Sequence, residues 1–159
     1  MANIPNAESV ITLLELAPLP VEGGFFRQTY FAGDPDRPET TAIYYLVTPT
    51  SFSSVHRLAF DELFHFYAGD ACEMIQIDPN GELHELTIGN DLNAGQRPQA
   101  VVRAGSWQGT KLIEGGAWAL LGTTMTPGYR TDIFELPKVG EFDALSDEVR
   151  SRISLFTGR

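Results

Sequence analysis

The chain has 159 residues, 43% hydrophobic and 20% charged, which is the composition of an ordinary globular protein. Eleven lysines and arginines against 21 aspartates and glutamates leave a net charge of −10. No basic cluster stands out, and a nucleic-acid surface needs concentrated positive charge, so that partner class is excluded. A chain of this size buries about two-thirds of its unfolded surface, so residues 1–159 are expected to form one domain. No apolar run approaches the roughly 20 residues that span a bilayer. The start, "MANIPNAESV", has neither the basic nor the apolar region of a secretory signal. The single cysteine, Cys72, leaves no internal disulfide to form, and a reducing, cytoplasmic location is expected.

The first predicted element is a short helix in "NAESVITLLELAPLP". Asn6 is its N-cap, Val10, Leu13, Leu14 and Leu16 form its apolar stripe, and Pro18 ends it. The pattern then changes to short β segments separated by turn residues. These are "GGFFRQTYFA", "TAIYYLVT", "FSSVHRLA", "LFHFYAG", "CEMIQID", "LHELTIG", "QAVVRAG", "GTKLIEGG", "AWALLGTTM" and "YRTDIFEL". "DPNG", Asp78 to Gly81, predicts a tight hairpin with Gly81 at positive φ. "FDALSDEVRSRISLF" predicts a second helix with Asp143 as N-cap and Leu145, Val149 and Ile153 on one face. Many short strands with helices only at the termini mean an all-β sandwich or barrel.

A barrel interior is the natural place for a small-molecule site, because inward positions of several strands surround one cavity. "SVHRLAFDELFHFYAGD" places His56, Glu62 and His65 close together. Strand alternation puts His56 with Leu58 on one face, and Glu62 with Phe64 and Phe66 on one face of the next strand. His65 then points away, unless a bulge turns it into the pocket as a ligand-binding residue. A tight metal site needs three or four strong donors, and Leu58 is none. Cys72 reads as a small buried hydrophobe, and His84 as exposed.

These residues resemble the first motif of the cupin superfamily, G-x5-H-x-H-x3,4-E-x6-G, with Leu58 in place of the second histidine. "GQRPQAVVRAGSWQGTKL" resembles the second motif, with Gly105 at its central glycine, Arg103 where proline is usual and Gln108 where the third histidine would stand. "VEGGFFRQTY", "TAIYYLVTP", "AGSWQG" and "GAWALLGTTMTPGY" extend the likeness to the cupin_5 or DUF985 group, from about residue 11 to 136. The resemblance implies a jelly-roll barrel with its core at about residues 20–136, and a homodimer in which first strands join the partner's sheet.

It also implies a cavity around His56, Glu62 and Gln108, and a fold that hosts oxygenases, isomerases, epimerases and binding proteins alike. With two of the usual metal ligands replaced, no metal cofactor is expected; a divalent ion held by His56, Glu62 and Gln108 is the alternative. The leading expectation is metal-independent isomerisation or epimerisation of a sugar or nucleotide sugar. His56 and Glu62 would be the acid/base groups and Gln108 a hydrogen-bonding partner. Arg27 would hold an anionic part of the substrate; in a non-catalytic binding barrel Trp107 would stack on a base or a sugar face. Tyr44 or Tyr45 would add a hydroxyl, and only one of the two can face inward because they are adjacent. A non-catalytic ligand-binding or sensing barrel, or a metal-dependent cupin enzyme, are the other readings.

Overall fold

A computed structural model describes residues 6–157. Helix α1 (Ala7–Leu13) starts at Asn6, whose side-chain oxygen accepts from the Ser9 amide at 2.8 Å. It is shorter than the stripe suggests, because the backbone turns left-handed at Glu15 (φ 54). Leu13 is consequently exposed, while Val10 and Leu16 bury against Leu46 and Trp118.

Eleven strands follow: β1 (Ala17–Pro18), β2 (Phe25–Asp34), β3 (Arg37–Val47), β4 (Ser53–Leu58), β5 (Glu62–Gly69), β6 (Cys72–Ile77), β7 (Leu83–Ile88), β8 (Gln99–Val102), β9 (Trp107–Leu112), β10 (Ala119–Met125) and β11 (Phe134–Glu135). They form two sheets, ordered β1-β2-β3-β10-β5-β8 and β11-β4-β9-β6-β7, with every named strand pair antiparallel. Between β3 and β6 each connection crosses from one sheet to the other, as does each from β7 to β11. This alternation is a jelly roll, which leaves few edges to solvent. The two inner faces meet in a core that includes Tyr45, Phe64, Met74, Ile88 and Leu121. Cys72 lies in it, and burial pushes its thiol up to about 12, so it stays protonated.

Two predicted segments fold differently. "YRTDIFEL" is mostly a turn of 3₁₀ helix, Thr131–Ile133, and only Phe134–Glu135 pair, with Leu58 and Arg57. The C-terminal helix α2 (Asp147–Ser154) is capped by Ser146, whose side chain accepts from the Val149 amide, and not by Asp143. Asp143 closes the preceding turn onto Gly140. Leu145, Val149 and Ile153 do share the packed face. Among the described residues no helix is long and apolar enough to cross a membrane.

Candidate functional site

The two sheets enclose a cavity of about 180 Å³. Leu19, Phe26, Ile43, Leu58 and Met125 make its apolar walls. Its polar wall carries Glu22, Tyr45, Glu62 and Thr123, and none of the lining residues is a lysine or arginine.

Glu62 opens β5 and is 8% exposed. Its Oε2 accepts from Gln108 Nε2 at 2.8 Å. Burial, and then the charge of Glu22, raise its carboxyl above the usual range. His56 and Gln108 offset this only in part. Burial beside a second carboxylate favours the protonated form, because the charged form is poorly solvated and repelled.

The sequence reading missed Glu22. It sits in the turn between β1 and β2, where Val21 (φ 72), Gly23 (φ 104) and Gly24 (φ 76) are left-handed. Glycine adopts this conformation without strain, whereas a β-branched valine does not. The turn is held by Gly23 N to Leu19 O at 3.1 Å, Ser54 N to Glu22 O at 3.0 Å and Gly24 N to Ser51 Oγ at 2.9 Å. So fixed, the Glu22 carboxylate accepts from Ser53 Oγ at 2.9 Å and lies 4.0 Å from His56 Nε2. The signal in the sequence was "EGG", a carboxylate beside two glycines, which does not state where the side chain points. Tyr45 donates to Gly23 O at 2.8 Å, and burial followed by the Glu22 charge raises its phenol well above its ordinary value.

His56 is 1% exposed and stacks on Phe134, with ring centroids 5.1 Å apart. Its Nδ1 lies 2.8 Å from the Ser54 carbonyl, which can only accept, so Nδ1 carries the hydrogen and Nε2 faces Glu22. His56 does not line the cavity; it stands one residue back, behind Glu22. Gln108, 1% exposed and paired across the ladder with His56, stands likewise behind Glu62. Its carbonyl oxygen is buried without a partner.

The remaining sequence candidates face elsewhere. Arg27 points outward, pairing with Glu15 at 3.1 Å and lying over Tyr44. Tyr44 packs with Tyr67 outside the barrel, so Tyr45 is the inward tyrosine. Trp107 is under the C-terminal segment, against Ile153, Phe156 and Phe142, with Arg57 over its ring. His65 is on the outer face, 3.2 Å from Thr124 Oγ1 and stacked on Tyr67. The one bulge in the β5–β10 ladder comes after it, at Leu120/Leu121, and does not turn it inward.

The chain matches the family described as Cupin_5: Cupin superfamily (DUF985), over residues 8–137. It belongs to that family. This cupin is similar to protein SO0799 from Shewanella oneidensis, at 35% identity and a TM-score of 0.88, covering 98% of this chain and 99% of that one. It is also similar to a hypothetical protein from Leishmania major, at 25% identity and a TM-score of 0.84, over 98% and 100% of the two chains. Oxalate decarboxylase from Bacillus subtilis shares the fold at 13% identity and a TM-score of 0.59, over 91% of this chain and 35% of that one. No curated protein matches.

Bacillus subtilis oxalate decarboxylase has Mn(II) centres, but the residues of this cupin do not fit such a metal. Leu58 is part of the cavity wall, Gln108 directs its amide nitrogen at Glu62, and the donor atoms of Glu22, His56 and Glu62 do not converge. Among the described residues, the three side chains whose donor atoms lie within 4.8 Å of one another are Asp78, Glu82 and His84. They sit on the hairpin between β6 and β7. There Asp78 caps the turn by accepting from the Asn80 and Glu82 amides at 2.8 and 3.0 Å, with His84 3.3 Å away.

Proposed function

We propose that this cupin binds a small molecule in its barrel and moves protons on it without a metal, an isomerase- or epimerase-like role. The observation that carries the reading is the pair Glu22 and Glu62 on one cavity wall, with the Glu62 carboxyl raised by burial and by the neighbouring charge. A buried carboxyl with a raised pKa and a second carboxyl on the same wall suit the roles of acid and base. Glu62 is the proton donor. Glu22 is the base, and His56 Nε2 stands 4.0 Å behind it. Gln108 orients Glu62.

The test is carboxyl-carbon NMR of wild type and Glu22→Gln, with metal analysis of both. Glu62 is expected to titrate above the ordinary glutamate value of about 4.3 and to move down in Glu22→Gln. Stoichiometric metal in wild type, or a Glu62 midpoint indifferent to Glu22, would sink the reading.

We further propose a homodimer. Among the described residues, β2 pairs with β1 only at Phe25 and Phe26, so its outer edge from Arg27 to Asp34 has no strand beside it. Tyr30 and Phe31 on that stretch are 56% and 43% exposed. Such an edge is a template for pairing with another chain. Sedimentation should give twice the 17.5 kDa of the chain, and Tyr30→Lys with Phe31→Glu should give the monomer. A monomeric wild type would refute the proposal.

A further inference from the structure

Resting on the proton-transfer reading, we infer that the substrate is a small uncharged carbonyl compound with an apolar body, and not a sugar phosphate or nucleotide sugar. Size is the first argument. A cavity of about 180 Å³ holds roughly six waters at ~30 Å³ each. Pockets for drug-sized ligands begin at about 300 Å³. A nucleotide diphosphate sugar is far larger than either.

Charge is the second argument. Glu22 and Glu62 both line the cavity, and among the described residues no lysine or arginine does. The arginines that adjoin lining residues in sequence are committed elsewhere, Arg27 to Glu15, Arg57 to Glu135 and Arg130 to Asp132. The tyrosines report the sign of the potential. Tyr129 and Tyr45 at the cavity have their phenols raised first by burial and then by the Glu22 charge. An anion entering here would be desolvated among carboxyl groups without a counter-charge, which is unfavourable.

The wall chemistry supplies the third argument. Leu58 and Met125 flank Glu62 on the same cavity surface, with Phe26 and Ile43 completing the apolar side. A hydrogen-bond donor on an apolar wall suits a ligand with one carbonyl on a hydrocarbon frame. The Glu62 carboxyl donates to the carbonyl oxygen while the Glu22 carboxylate takes a proton from the adjacent carbon. The C–H electron pair becomes the C=C bond of an enol, and the carbonyl oxygen receives the Glu62 proton. Glu62 is left as carboxylate and Glu22 as acid. Return of a proton to carbon and of the enol proton to Glu62 restores both groups. No oxidant, reductant or co-reactant is consumed.

The experiment uses the whole chain and four probes: 2-hydroxycyclohexanone, cyclohexanecarboxylate, cyclohexylammonium and uridine diphosphate glucose. Binding is read from the methyl NMR signal of Met125, which lines the cavity and is 3% exposed. Proton transfer is read as deuterium uptake at the carbon beside the carbonyl in D₂O. The neutral ketone should shift Met125 and exchange. Cyclohexanecarboxylate should bind about tenfold or more weaker, cyclohexylammonium no tighter than the ketone, and the nucleotide sugar not at all. Comparable binding of cyclohexanecarboxylate or of the nucleotide sugar overturns the inference, as does tighter binding of cyclohexylammonium, which would make this a cation site. Failure of the ketone to bind overturns it too. Ketone binding without deuterium uptake leaves the ligand class standing and removes the proton-transfer reading, so the two fail separately.

Discussion

Glu62→Gln is expected to raise the melting temperature at pH 8 and to leave it nearly unchanged at pH 4. The Glu62 carboxyl is buried and its folded-state pKa is raised, first by burial and then by Glu22. In the unfolded chain it returns to about 4.3. A group whose folded pKa lies above the unfolded one contributes stability that is fully present below the unfolded pKa. That stability is lost as pH rises through the folded pKa. Wild type therefore loses stability through this group as pH rises from about 4 through the raised folded pKa, and glutamine, which does not titrate, loses none. Glutamine also keeps an acceptor for Gln108 Nε2. The gain at pH 8 should be about 1–3 kcal/mol, the cost of a buried polar group held in an unfavourable state. For a chain of this length that is about 2–4 °C per kcal/mol. The same substitution removes the proton donor and should lower deuterium uptake by about 10²–10⁴-fold. Gained stability with lost exchange is the mark of a group kept for chemistry. An identical stability difference at both pH values would show that Glu62 holds no proton in the folded state.

How far the site could be read from the sequence follows from which geometry is local. Alternation within a strand is local, so His56 with Leu58, and Glu62 opposite in sense to His65, were legible and are found so placed. The phase of one strand against another is not local. Tyr44 and Tyr45 differ by one residue, and the register that pairs Tyr44 with Arg27 and Tyr45 with Phe26 sends the first pair out and the second in. Trp107 was misplaced although the parity rule covers it: if Gln108 faces inward, its neighbour on the strand faces outward, and Trp107 does. Glu22 was out of reach because its direction depends on left-handed backbone at Val21, and nothing in a valine announces positive φ.

Fold class was more accessible than site, since the two-residue period of ten segments needs no cross-strand information. "YRTDIFEL" failed as a strand because its Thr131–Ile133 turn is helical while only two residues reach the ladder. Asp143 and Ser146 are both competent caps three residues apart, and the tight turn from Gly140 through Leu145 decides for Ser146.

Phe156→Ala should cost about 3–5 kcal/mol, the usual penalty for emptying a large aromatic site in a core. Phe156 is 0% exposed although it lies three residues from the C-terminus. Its ring occupies the outer face of the β11-β4-β9-β6-β7 sheet with Val55, Ile75, Trp107 and Ile153. Gly109 makes the room: a Cβ there would stand 3.0 Å from the Phe156 Cβ. Lys111 Nζ and the Arg152 guanidinium cover the ring at 4.9 and 5.3 Å, and Arg152 also bridges Glu73 and Glu85. That bridge is partly exposed, with Arg152 at 29%, so Arg152→Ala should cost only about 1 kcal/mol or less. The contrast between the two variants separates packing from charge. The effect reaches the cavity through the backbone, because the Val55 amide donates to the Phe156 carbonyl at 3.0 Å, and Val55 precedes His56. Loss of the ring should loosen β4 where it backs Glu22, so ketone binding should weaken in Phe156→Ala and hold in Arg152→Ala. Chemical denaturation and the Met125 NMR signal measure the two effects on one sample. A Phe156→Ala cost no larger than that of Arg152→Ala would mean that the C-terminal segment covers the sheet without stabilising it.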